Sequence, residues 1–212
     1  MNDYYKELIR FAPHELQITE RKDLEQLWKF EAYPCLEILF DFYECFQSAE
    51  NIRTAFFHFR PIEEINIKSN GLVFAMGHQN TFPIGIELSD LVYEDPRVKY
   101  QMQENGTWFN ESGSLRSFLF NVSAWQILNT MASVARMRIR EEEFEKMIGD
   151  SLVYLAKEKS YILRSNYYTC RDINAEILAV YNYLEGTLYF GANDDETLND
   201  FSDKFHIELD WL

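Results

Sequence analysis

The apolar positions of this chain recur first at helical spacing and then, further along, at strand spacing. Tyr4, Tyr5, Leu8 and Ile9 share one helical face before Pro13 interrupts the run. A second helix is predicted from Thr19, a capping candidate with Glu20 in the first turn, and it places Leu24, Leu27 and Trp28 together. Pro34 stands where a third helix would begin. In that helix Leu36, Leu39, Phe40 and Tyr43 have the spacing of a core-facing stripe, with Glu37, Asp41 and Glu44 turned outward. Thr54–Phe59 has strand composition and ends at Arg60-Pro61.

The stretch from Gly71 to Tyr100 organises the middle of the chain. Leu72–Met76 is wholly apolar, which fits a strand covered on both faces or a piece of buried helix; the flanking Asn70-Gly71 and Gly77 favour the strand. Phe82, Ile84, Ile86 and Leu88 then alternate with Pro83, Gly85 and Glu87, the period of a strand with one packed face, and Pro83 puts its start at an edge or bulge. Glu94–Trp108 reads as loop, with Asp95-Pro96 and Asn105-Gly106 as breakers. Ser112 or Ser114 caps a long helix carrying Leu115, Phe118, Leu119, Val122, Trp125, Ile127, Leu128 and Met131, a pattern with so little polar face that the helix must be buried against a sheet.

Beyond it, Arg136–Lys146 switches from arginine to glutamate and includes the pair Glu142 and Lys146, which predicts a solvated connecting helix. Ile177–Leu184 and Thr187–Phe190 flank Glu185-Gly186 and predict a hairpin. Asp194 or Asp195 caps a helix bearing Leu198, Phe201 and Phe205, and Ile207–Trp211 ends the chain as a strand. Helices first, then strands mixed with helices, give an α+β protein.

Composition narrows the function classes. A chain of 212 residues, 47% hydrophobic and 26% charged, is long enough for one well-buried core and is not disordered. A net charge of −15 disfavours nucleic acid and anionic membranes as partners and favours a basic one. Cys35, Cys45 and Cys170 form neither a CxxC nor a paired framework, as expected in a reducing compartment. Asp3, Lys6, Glu7 and Arg10 break the apolar run that a secretory leader needs, so a cytoplasmic location is expected.

His58 and His78, with Asp90, Glu94 and Asp95 as carboxylates, are the candidates for metal or acid–base chemistry, but no ligand spacing such as HExxH joins them. They read more simply as a strand residue and a turn residue. Gly71, Gly77 and Gly85 match no phosphate loop and read as turn and packing glycines. No catalytic residue, metal or cofactor is therefore expected. Glu87, Asp90, Tyr93, Glu94 and Asp95 form a candidate rim for a protein partner, set against the plainer reading of a charge run as a solvated face.

Several of these pieces resemble, in pattern and order, the SUKH superfamily of bacterial toxin-immunity proteins and a fungal cell-wall-assembly regulator. The residues are Tyr33-Pro34 with Leu36–Tyr43, then Leu72-Val73-Phe74-Ala75, His78-Gln79-Asn80 and Ile84-Gly85-Ile86, followed by Asp90-Leu91, Asp95-Pro96-Arg97-Val98, Trp108 and Ser117-Phe118-Leu119. Gly77-His78 departs from an acidic pair common in the family, and Ile84 from a tryptophan. The resemblance implies one SUKH-like domain over residues 1–212, with the core motifs at about 19–128 and a C-terminal extension at about 136–212. Its fold would be a mixed, mainly antiparallel sheet packed with N-terminal helices and one long central helix. It further implies a protein that binds another protein and performs no chemistry: an immunity protein holding a cognate toxin, often a nuclease, whose basic domain suits an acidic partner. A regulatory or scaffold protein of the same fold is the alternative, and an unrecognised hydrolase a more distant one.

Overall fold

The computed structural model describes residues 3–12, 16–68, 70–77, 81–102, 106–162 and 165–212, the side chains of 3–4, 112, 157–162 and 165–167 excepted. Helix α1 (Asp3–Ile9) leads through a 3-10 stretch (Arg21–Phe30) to α2 (Leu36–Phe46) and the single turn α3 (Glu50–Arg53). A first sheet follows from β1 (His58–Phe59), β2 (Asn66–Lys68), β3 (Gly71–Met76), β4 (Pro83–Glu87), β5 (Val98–Gln101) and β6 (Trp108–Ser112). After α4 (Leu115–Leu128) come β7 (Ser133–Arg138), α5 (Glu141–Met147), β8 (Leu152–Ile162), β9 (Ser165–Asp172), β10 (Leu178–Asn182), β11 (Thr187–Ala192), α6 (Asp195–Phe205) and β12 (Asp210–Trp211). The first sheet runs β1-β3-β4-β5-β6 with β2 also on β3, and the second runs β12-β7-β11-β10-β9-β8. The fold is therefore α+β, with two six-stranded antiparallel sheets where the sequence reading had one.

Helix α4 joins the parts. The Ser114 hydroxyl caps it by accepting from the Ser117 amide at 3.1 Å, which settles the choice between Ser112 and Ser114. Twelve of its residues are buried, so it needs cover on every side. Phe118 meets the rings of Phe57 and Phe74 beside the first sheet, while Asn121 accepts from the Thr169 hydroxyl and Trp125 stands edge-on to Tyr189 on the second. The second sheet is covered on its other face too: Leu178 and Val180 of β10 belong to the core around α4, and Ala179 and Tyr181 to a core under α5 and α6. There Phe144 stacks on Tyr181 at 4.2 Å and Phe190 packs on Phe201.

Several expectations change, and the stretch Glu94–Trp108, read as loop, contains β5 and the start of β6. The helix expected from Thr19 is a 3-10 stretch with no side-chain cap; Leu24 and Leu27 are buried, but Trp28 is half-exposed against Phe40. Asp41 and Glu44 do not turn to solvent, because Arg21 reaches across to bind both of them and Glu37. Of Thr54–Phe59 only His58–Phe59 is strand, since buried Gln126 takes the amides of Phe56 and Phe57 and donates to the carbonyls of Arg53 and Phe57. Finally, the expected connecting helix starts only at Glu141, and Arg136 and Arg138 belong to strand β7 between β11 and β12.

The hairpin at Glu185-Gly186 forms as expected, with Gly186 at φ +59°, a conformation favouring glycine. Asp194, not Asp195, caps α6 by accepting from the Thr197 amide at 2.8 Å, and Asp195 instead takes the Ser133 hydroxyl of β7. Of the predicted last strand, only Asp210–Trp211 pairs.

Candidate partner-binding loop

The predicted rim lies on the connection between β4 and β5. After Glu87 the chain makes one 3-10 turn, Leu88–Asp90, and drops Leu91 fully into the core; Pro96 and Val98 return to buried positions. The amide of Leu88 bonds the carbonyl of Asn70 and that of Tyr93 the carbonyl of Asp90, which fixes the start of the excursion and the turn before Tyr93. Between these anchors Val92 is 69% exposed and Tyr93 60% exposed, with Glu94 and Asp95 exposed beside them.

The five predicted residues do not share one role. Glu87 and Asp90 both bind the ammonium of Lys99, at 2.6 and 2.8 Å, and the Lys99 side chain is only 13% exposed. Register explains the meeting: Lys99 pairs with Gly85, so it lies diagonally beside Glu87 on one face of the sheet. Burial alone would lower the lysine's pKa, but the hydrogen bonds to Asp90 and Glu87 outweigh it and the value is raised. Asp95 accepts from the Arg116 amide at 3.0 Å, in the first turn of α4, so its carboxylate serves the helix terminus. Of the five, Glu94 and Tyr93 stand outward with no such side-chain bond among the described residues, and Val92 joins them.

Lys99 and Val92 are the residues that sequence reasoning passed over. Assigned to a polar loop, Lys99 had no register to bring it to Glu87; the pairing of β5 with β4 supplies it. Trp108, a motif residue, lies over Gly71 on the same sheet, where an added Cβ would stand 2.3 Å from its ring. His58 sits in β1, and His78 lies outside the described residues. Among the described residues no group of three or more His, Cys, Asp or Glu is placed to hold a metal. All three cysteines are free and buried, and burial pushes the Cys35 thiol up to about 11 and Cys45 up to about 12. No described helix is long and apolar enough to cross a membrane. No family model, curated protein or solved structure matches this chain.

Proposed function

We propose that the protein binds a cationic protein domain through the loop after β4, and that it is a SUKH-type immunity protein that neutralises a nuclease-type toxin by stoichiometric binding. The observation that carries this reading is the loop itself: two exposed apolar side chains, Val92 and Tyr93, next to free Glu94, on a backbone pinned by Leu91 and by the ion trio at Lys99. Exposed tyrosine on a fixed backbone is the usual anchor of a protein interface, because little conformational entropy is lost on docking. The net charge of −15 supports a basic partner, since it raises the encounter rate with cations and opposes nucleic acid. The order of the SUKH-like motifs supports the immunity role.

The test is to ask whether a neighbouring gene encodes a toxin with a basic C-terminal domain and to co-express that domain with this protein, followed by size-exclusion chromatography. The expected result is a one-to-one complex and restored growth, with Tyr93→Ala weakening both. Recovery of a non-toxin partner would move the protein to a regulatory role, and catalytic turnover by the purified protein would refute the reading.

A further inference from the structure

The second sheet carries a feature of the opposite sign. Strand β7 turns Arg136 and Arg138 to one face, and Arg140 follows directly after it. All three are exposed, on a chain with fifteen more acidic than basic residues. Arg140 holds Glu143 at 2.7 Å, and Arg136 reaches exposed Asp210 at 4.0 Å. Arg138 is different. Its neighbour across β11 is Thr187, and it has no ion pair or hydrogen-bond partner among the described residues.

Arg138 also stands where two clefts meet. One, of about 320 Å³, runs along Arg136 and Tyr189; the other, of about 570 Å³, runs past Arg140 to Tyr183 and Leu184. Leu184 is 68% exposed and Tyr183 40%. The nearby Glu185 lines both clefts, but its carboxylate accepts from the Tyr189 hydroxyl at 3.0 Å. The corner therefore offers one guanidinium fork with unused donors beside an apolar and aromatic ledge.

We propose that this corner binds an extended acidic peptide segment of a protein partner, Arg138 taking a carboxylate while Tyr183 and Leu184 take an adjoining apolar side chain. A guanidinium matches a carboxylate with two parallel hydrogen bonds, and arginine with tyrosine is the pairing that dominates interface energetics. The same strand already has a carboxylate beside it: Asp210-Trp211 runs antiparallel to β7, with Asp210 opposite Arg136 and 4.0 Å from its guanidinium. Glu141, Glu143 and Glu185 line the wider cleft, so the segment brings one carboxylate to Arg138 and an uncharged side chain to the ledge, and polyphosphates, with their denser charge, fit worse. This surface is separate from the loop after β4 and stands or falls without it.

The experiment is selection of a phage-displayed random heptapeptide library on the purified protein, with Arg138→Glu as the counter-target and fluorescence polarisation of the selected peptides. Enriched sequences are expected to place Asp or Glu next to an aromatic or aliphatic residue, and to bind the Arg138→Glu variant at least tenfold more weakly, about 1.4 kcal/mol. Arg138→Lys, which keeps the charge but loses the fork, should bind with intermediate affinity, and Leu184→Ala gives a second, charge-neutral variant should Arg138→Glu fail to fold. Selection without acidic residues, or binding by Arg138→Glu and Leu184→Ala as tight as by the parent, overturns the proposal. Displacement of the peptides by inorganic pyrophosphate or oligothymidylate would reassign the corner to phosphate-bearing ligands and equally overturn it.

Discussion

The loop after β4 and the corner around Arg138 carry charge of opposite sign, and they differ more in what the charges do than in their sign. In the loop, Glu87 and Asp90 share the single cation of Lys99, and Asp95 serves the terminus of α4. In the corner, Arg138 lies opposite Thr187 and has no ion pair or hydrogen-bond partner among the described residues. A run of like charge along a sequence thus overstates the charge available to a partner, whereas a single unmatched arginine on a strand understates it. The residue across the sheet decides, and that residue comes from far along the chain.

Removing core packing between α4 and the first sheet should have the largest effect. Phe118 is fully buried on α4, and Phe118→Ala should lower stability by about 3 to 5 kcal/mol in urea unfolding. An unchanged midpoint would mean that α4 does not hold the first sheet through Phe118. Lys99→Met comes next, at roughly 2 kcal/mol, because it leaves two partly buried carboxylates without their cation. Since the Lys99 pKa is raised in the fold, its contribution is fully present below the ordinary lysine value of about 10.4 and is lost as pH rises through the folded value. The stability gap between parent and variant should therefore stay level from neutrality to about pH 10 and narrow above it; a gap that widens there would contradict the assignment. Ser114→Ala, which removes the cap of α4, should lower stability by about 1 kcal/mol.

Tyr93→Ala and Glu94→Lys should change stability by less than about 0.5 kcal/mol, as exposed positions do. Their expected effects lie in binding: faster dissociation for Tyr93→Ala, and a smaller salt dependence of association for Glu94→Lys, measured by surface plasmon resonance against the toxin domain. Matching kinetics for parent and both variants would place the contact surface elsewhere.

Long-range pairing explains what could be read from the sequence and what could not. Helices α2, α4 and α6 and the β10–β11 hairpin were legible because each carries its own signal, a stripe of apolar residues, a cap or a Gly at the turn. Strands β5 and β6 were not, because Lys99, Gln101, Asn110 and Glu111 give them a polar look while their partners hold the register. Arg136 and Arg138 looked helical beside the glutamates of α5, and only β11 makes them a strand. Likewise the burial of Asp41 and Glu44 depends on Arg21, at least twenty residues upstream, which no local pattern announces. At the candidate site the loop and its exposed tyrosine were legible, and the division of labour among its carboxylates was not.

That division is tested most directly by two double-mutant cycles in urea unfolding, one joining Lys99→Met with Asp90→Ala and the other joining Lys99→Met with Glu94→Ala. The first pair should show a coupling of about 1 kcal/mol, and the second should be additive within about 0.3 kcal/mol. Equal coupling in both cycles, or none between Lys99 and Asp90, would contradict the separation of bracing charges from the free one.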